Sequence, residues 1–419
     1  MDDLDSLNVW WGDQLVGYLW RNQQGIIGFR YDGNWLAQKK FSISLKLPLR
    51  EEEYSAEEGG IAHRFFANLL PEGNVRAQIV RDLKISDTDF DLLRAIGGEC
   101  AGALSLLPVE LSPSKDNAYT KLDDDRLIQL IRRRGQIPIT RNQNDKRPRL
   151  SLAGAQNKCP ILLKEEDYYL PDREAPTSHI LKFEIPDYKN ISLYETYTTL
   201  LASSIGLPVV DIELCQRGKD YFTLIKRYDR YEKENNIVRL HQEDFCQSLG
   251  YSFNNKYEND QGPSFADCYR LVRDSSSEPV TDTDNLLRWL IFNYIVGNSD
   301  NHAKNLAFLY NENGDIRQAP FYDLVCTRAI EQTNAELAFS IGGNYDPGRI
   351  TKKNWIDLAN DCGIAPRYLL SLLSQLAEQI KAANVEAKKK FKSKYGNFPA
   401  LQRIDLVIAK QHRLITTTL

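Results

Sequence analysis

The period of hydrophobic and polar positions changes several times along the chain, and each change marks an element. Residues 8–18 and 25–31 carry short apolar, aromatic-rich runs around Gly12-Asp13, and residues 43–49 alternate apolar with polar positions, all in the manner of strands. Helical spacing takes over at 62–70 and 75–83. A glycine-rich stretch, 97–104, then leads into another strand; no helix pattern follows the glycines, so tight backbone packing is favoured over phosphate binding. These residues, 9 to about 108, read as a first domain. Residues 112–125 are polar and suit a linker, a helix is predicted at 124–134, and 140–149 is a second polar stretch expected to be mobile.

Strands follow at 168–170 and 179–183, then a helix at 192–205 with Glu195 near its start. Residues 209–215 and 221–225 form a predicted hairpin around Arg217-Gly218-Lys219, followed by Lys226-Arg227-Tyr228-Asp229-Arg230. From there the pattern is mostly helical: 241–250, 264–273, 284–296, 355–359, 366–382, 385–391 and 400–414.

Polar chemistry concentrates between residues 286 and 323. A helix stops at Gly297, and the loop after it carries Asn298, Ser299, Asp300, Asn301, His302, Lys304 and Asn305. Two apolar runs, 306–310 and 316–319, joined by Asn311-Glu312-Asn313-Gly314, then deliver Asp323. Phosphoryl transfer needs a carboxylate beside the attacking hydroxyl and oxygen ligands for Mg²⁺ on the phosphates. Asp300 and Asn305 have the Asp-x-x-x-x-Asn spacing of a kinase catalytic loop, although an isolated copy is commonly an ordinary polar loop.

Two upstream segments fit that chemistry. In Leu150 to Cys159, the small residues Ala153, Gly154 and Ala155 allow backbone N–H groups to approach phosphate and Lys158 adds a charge. The segment matches neither G-x-x-x-x-G-K-[ST] nor G-x-G-x-x-G, and an ordinary β-turn is the competing reading. Lys182 lies on an otherwise apolar strand, where it must meet an anion or face water at an edge; a helix with Glu195 follows, the order by which kinases hold the α/β-phosphates. His302 is a candidate for orienting Asp300 or touching phosphate, and the other four histidines read as structural.

Composition narrows the class. The 419 residues are 42% hydrophobic and 26% charged with a net charge of -4, which argues against a wholly basic nucleic-acid binder while leaving room for a basic face. Lys388, Lys389, Lys390, Lys392 and Lys394 are such a candidate, either a solvated helix face or a contact for DNA phosphates or an acidic partner. Seven scattered cysteines without a Cys-x-x-Cys pair point to reduced thiols in a cytoplasmic protein, with neither a disulfide framework nor a structural zinc. An acidic N-terminus and the lack of a long apolar run predict neither a signal peptide nor a membrane span.

Several segments together resemble one family. Ser151-Leu-Ala-Gly-Ala-Gln-Asn-Lys158, His179-Ile-Leu-Lys182, Lys226-Arg-Tyr-Asp-Arg230, Gly297-Asn-Ser-Asp-Asn-His-Ala-Lys-Asn305 and Pro320-Phe-Tyr-Asp323 are similar to the HipA family, the serine/threonine kinase toxins of type II toxin-antitoxin modules. Phe65-Phe-Ala-Asn-Leu-Leu-Pro-Glu-Gly73 and Gly102-Ala-Leu104 resemble its N-terminal subdomain. The resemblance implies that Asp300 is the general base, that Asn305 and Asp323 bind Mg²⁺, and that Lys182 meets the α/β-phosphates of ATP. It implies a phosphate loop of Ala153, Gly154, Ala155, Gln156, Asn157 and Lys158, with Arg227 and Tyr228 at the adenine and His302 and Lys304 near the phosphates. Ser151 matches a serine that the family can autophosphorylate, and a phosphate of roughly -1.5 to -2 charge would repel the loop from ATP. Lys226 and Asn157 depart from the family pattern, where an acid and a Glu are common.

The resemblance also implies a small DNA-binding antitoxin of the HipB kind, operator DNA reached only through that complex, and a protein substrate of the aminoacyl-tRNA synthetase class. The expected fold is α+β: a two-lobed kinase with an additional N-terminal subdomain (1–112), an N-lobe (113–229) and a mostly helical C-lobe (230–419). Two alternatives keep a place, a small-molecule kinase and a catalytically weak co-repressor scaffold. The set Lys182, Asp300, Asn305 and Asp323 argues against the scaffold, which needs no groups converging on phosphate.

Overall fold

Alternating apolar positions build β1 (Ser6–Trp11), β2 (Gln14–Arg21) and β3 (Ile27–Tyr31). The computed structural model describes residues 6–38, 41–55, 58–114, 117–137, 148–234, 236–311 and 314–418. Leu7, Val9, Val16, Leu19 and Phe29 from these strands are fully buried against α1 (Gly33–Ala37), α2 (Ile61–Ala67), α3 (Gly73–Leu83) and α4 (Asp89–Ile96). β4 (Leu104–Pro108) completes an antiparallel sheet of order β3-β2-β1-β4. The glycines before β4 pack as expected: a Cβ on Gly98 would lie 2.8 Å from that of Arg149. Residues 43–49 are not the strand their alternation predicts and form only a Ser44–Leu47 bridge. The partners a strand would need come from side chains, the Tyr31 hydroxyl for Ile43 N and the Glu243 carboxylate for Leu45 N.

β5 (Tyr119–Leu122), α5 (Asp124–Arg132), β6 (Lys158–Lys164), β7 (Asp167–Pro171), β8 (His179–Phe183), α6 (Ile191–Ser204), β9 (Ile212–Arg217) and β10 (Asp220–Lys226) follow. Their six strands lie in the order β5-β7-β6-β8-β10-β9, which carries Lys158 opposite Lys182 across β6 and β8. The polar stretch 112–125 is more than a linker. Its residues 119–122 are the edge strand, where burying Leu122 suffices, and Asp123 caps α5 by accepting from Arg126 N. The polar stretch 140–149 falls largely on residues 138–147, outside the described residues, as does the turn at 312–313.

The remaining elements are β11 (Arg230–Lys233), β12 (Asn236–Arg239), β13 (His241–Asp244), α7 (Phe245–Leu249), α8 (Phe265–Ser275), α9 (Pro279–Val296), β14 (Ala307–Tyr310), β15 (Ile316–Gln318), α10 (Lys352–Asp361), α11 (Pro366–Tyr395) and α12 (Gln402–Thr418). The helix predicted from 241 begins only at 245, because His241 to Asp244 pair with β14 and Asp244 then caps α7. The two helices predicted across 366–391 are one, α11, whose Asn384 is buried and takes the Tyr197 hydroxyl at 2.6 Å. α9 is buried around most of its circumference, with Trp289 in the largest core. Among the described residues no helix is long and apolar enough to cross a membrane. In the lysine cluster, Lys388, Lys389 and Lys394 pair with Asp405, Glu386 and Glu213, as a solvated helix face would.

Candidate active site

A cavity of about 810 Å³ opens between the six-stranded sheet and the helical region, with Asn68, Leu69 and Glu72 of the first unit on its wall. Lys182 stands on β8, an interior strand, and is buried, with 4% of the residue exposed. Its Nζ donates to Glu195 Oε1 at 2.7 Å and to Asp323 Oδ1. Burial opposes the charge on Lys182, but Asp323 and Glu195 outweigh it and hold the ammonium above its ordinary range. Burial likewise opposes an ionised Asp323, yet Lys182 and then Lys158 bring its pKa down to about 2. Asp323 adopts φ 55, a conformation that costs a non-glycine residue energy and is retained where surrounding contacts demand it.

The loop before β6 is seated on the first unit. Ser151 is fully buried; its Oγ donates to Leu69 O at 2.8 Å and its N–H to Glu99 O at 3.0 Å. Glu72 N–H donates to Gly154 O at 3.1 Å. Leu152, Ala153, Gly154, Ala155, Gln156 and Lys158 face the cavity. Lys158 Nζ folds back on Ala153 O at 2.6 Å; burial, with Lys182 beside it, lowers its pKa to about 8 against the opposing pull of Asp323. Asn157 lines a separate cavity of about 170 Å³ beside α3, which Leu152, Gln156 and Lys158 also border.

Gly297 ends α9 at φ 72, where a Cβ would lie 2.6 Å from Val407. The next turn is fixed by amides: Asn293 Oδ1 accepts from Asn298 Nδ2 at 2.8 Å, and Asn298 Oδ1 accepts from Asp300 N at 3.1 Å. Asn305 Nδ2 donates to Asp300 O at 2.7 Å, which commits its nitrogen and leaves Oδ1 as the oxygen to offer a ligand. The Asp300 side chain is 59% exposed on the cavity wall, with His302 Nε2 3.9 Å from its Oδ1. Burial lowers the His302 pKa, so the ring is neutral near pH 7.

Two residues expected at the nucleotide, Lys304 and Arg227, line the cavity but have their side-chain donors engaged within the fold. The Lys304 ammonium uses its three donors on Asn68 O (3.0 Å), Asn68 Oδ1 (2.7 Å) and Asp244 Oδ2 (3.0 Å), tying the loop after α9 to the segment after α2. Arg227 commits all five of its donors, to Asp229 twice, Glu99, Thr177 and Cys100 O. Its guanidinium therefore has no donor left for an adenine. Tyr228 does fit a base: its ring stacks on Tyr322 at 5.9 Å and 19°, beside Val210 and Ile225.

Residues 150–384 match the HipA-like C-terminal domain family and residues 7–107 the HipA N-terminal domain family. The chain belongs to the HipA family. It is 36% identical over 386 residues to a putative kinase, Y4mE, of Sinorhizobium fredii, covering 89% of this chain and 90% of that one. It is 28% identical over 397 residues to the serine/threonine-protein kinase toxin HipA of Shewanella oneidensis, covering 91% and 89%. A solved complex of Shewanella oneidensis HipA, HipB and operator DNA matches with a TM-score of 0.82 at 25% identity over 97% of each chain. This chain is accordingly a serine/threonine kinase of the HipA family with an α+β, two-lobed kinase-like fold.

In this HipA kinase the oxygens that fit Mg²⁺ are Asp323 Oδ and Asn305 Oδ1. Among the described residues no group of three or more His, Cys, Asp or Glu side chains could hold a metal by itself. Mg²⁺ keeps several waters and shares its few protein ligands with phosphate oxygens. Glu72, Lys256, Tyr257, Asn298 and Tyr322 also line the cavity and were not among the expected site residues. Tyr322 is flanked by Phe321 and Asp323, Asn298 lies in the loop already singled out, and Glu72 lies in the family-like segment 65–73; Lys256 and Tyr257 have no local signal, because the chain brings them in from another element.

Proposed function

We propose that this HipA kinase transfers the γ-phosphoryl group of ATP to a serine or threonine hydroxyl of a protein. The observation that carries the reading is Lys182, held between Glu195 and Asp323 on the wall of the cavity that Asp300 and Asn305 also face. Lys182 and Lys158 bind the phosphates, and Tyr228 with Tyr322 takes the base. Asn305 and Asp323 hold Mg²⁺, which neutralises charge on the phosphates. Asp300 accepts the proton of the attacking hydroxyl. His302 is buried beside it, its Nε2 3.9 Å from Asp300 Oδ1.

Ser151 is the proposed autophosphorylation site. Its hydroxyl is buried against Leu69 O, so modification requires the loop to leave its seat, and the added charge keeps it from returning. A small DNA-binding antitoxin is the proposed partner, supported by the solved HipA–HipB–operator complex, with DNA reached through it. We assign the chain to the cytoplasm and to three units, 1–112, 113–229 and 230–419. The proposed target is a protein of the aminoacyl-tRNA synthetase class, whose phosphorylation would stop translation and growth.

The test is mass spectrometry of cell extract incubated with the full chain, Mg²⁺ and labelled ATP. Phosphate on Ser or Thr of a protein is expected with the wild type and mostly lost, down to a measurable residual rate, in Asp300→Asn, which still binds ATP. Label on a small molecule alone, or equal labelling by the variant, refutes the reading.

A further inference from the structure

The carboxylate of Asp300 has a partner from a distant part of the chain. Tyr257, in the segment between α7 and α8, donates its phenol to Asp300 Oδ1 at 2.5 Å, 43 residues away in sequence. Its segment leaves the ring little freedom. Tyr257 O accepts from Asp260 N at 3.1 Å and from Gly262 N at 2.9 Å, and a Cβ on Gly262 would lie 2.3 Å from Asn255 O, so the turn closes tightly. On one side of the tyrosine, Lys256 Nζ is paired with Glu72 Oε2 at 2.6 Å. On the other, Glu258 accepts from Ser340 N at 2.7 Å and from its Oγ at 2.8 Å. The ring itself meets His302 edge-on, 4.9 Å between centroids.

Asp300, by contrast, is largely exposed and would turn freely about its side-chain bonds without such a contact. We propose that Tyr257 is a positioning residue of phosphoryl transfer: its hydroxyl holds Asp300 Oδ1 and leaves Oδ2 as the oxygen that receives the acceptor's proton. The inference rests on the reading of Asp300 as general base. In that step the acceptor oxygen forms a bond to the γ-phosphorus and the bond from the γ-phosphorus to the β,γ-bridging oxygen breaks. Its electrons leave on ADP, and the acceptor's proton passes to Asp300 Oδ2. A carboxylate carries two oxygens with several lone-pair directions, so committing one to a fixed donor orients the other. Burial foremost, and then the charge of Asp300, keep the Tyr257 phenol protonated well beyond the pH at which phenols ordinarily ionise, so it remains a donor throughout the working range.

The test is a cycle of four full-length proteins: wild type, Tyr257→Phe, Asp300→Asn and the double variant. Initial rates of phosphate transfer from γ-labelled ATP to cell-extract protein are followed at varied ATP. Tyr257→Phe removes one oxygen and keeps the ring, and thermal melting with fluorescent ATP-analogue binding checks that fold and nucleotide site persist. The expected result is a fall in kcat of about 10- to 100-fold, the cost of a misplaced base, with KM for ATP and analogue affinity unchanged. On the Asp300→Asn background the same change should add nothing. A Tyr257→Phe enzyme of wild-type rate overturns the proposal. So does an equal loss on the Asp300→Asn background, since the tyrosine would then act by another route. Wild-type transfer by Asp300→Asn would instead remove the general-base reading, and the positioning role with it.

Discussion

Glu243→Gln should leave stability unchanged near pH 4 and raise it at pH 8. Glu243 is fully buried where β13 meets the first unit; its oxygens accept from Ser44 Oγ at 2.6 Å, from Leu45 N at 3.1 Å and from the Tyr310 hydroxyl, all neutral donors. Burial dominates, and these bonds offset it only in part, so the pKa rises from 4.5 to about 7. A carboxyl group whose folded pKa is raised binds its proton more tightly in the folded state. Below pH 4.5 both states are protonated and the group costs nothing. Between 4.5 and 7 only the unfolded chain ionises, so stability falls as pH rises; above 7 the full penalty is present. At about 1.4 kcal/mol per pH unit across that interval, the penalty is about 3 kcal/mol. Glutamine removes the ionisation and keeps the bonds, since its Oε1 accepts from Leu45 and Tyr310 while its amide nitrogen donates to Ser44 Oγ. Denaturant unfolding of wild type and variant between pH 4 and 8 gives the difference, in which the pH dependence of every other group cancels. A difference that does not grow with pH, or a wild type more stable than the variant at pH 8, would refute the assignment.

Two other expectations concern Lys158 and the arginine cluster around Glu99. Lys158, with its pKa near 8, is largely neutral in the free kinase at pH 9, and ATP phosphates should restore its charge. Calorimetry in buffers of different ionisation enthalpy should then show proton uptake on ATP binding at pH 8 to 9 and none at pH 6, with the uptake lost in Lys158→Met. Glu99→Leu leaves Arg227, Arg230 and Arg239 without the carboxylate they share, and should cost about 3 to 5 kcal/mol in chemical unfolding.

What could be read from the chain before folding was mostly short-range. Asp300 and Asn305, five residues apart, and Asp323 beyond a hairpin face one cavity because a turn and two strands suffice to carry them there. Lys182 was legible for a different reason, since an ammonium on an apolar strand needs an anion wherever the strand lies. The side chains engaged elsewhere share a cause as well. The guanidinium of Arg227 goes to Glu99, 128 residues away, and the ammonium of Lys304 to Asn68, 236 residues away, so neither use has a local trace. Residues 43–49 alternate like a strand, yet the groups that satisfy Ile43 and Leu45 are side chains from elsewhere.

The sequence by itself determined the kinds of group available and the family, because phosphate chemistry demands particular residue types at particular spacings. Tertiary structure decided which of those groups remain free for a nucleotide and which are consumed. A buried donor takes whatever acceptor the fold brings within reach, and the cost of leaving it unpaired settles the choice. For Asp300 that choice was made by Tyr257, a residue no local pattern marks.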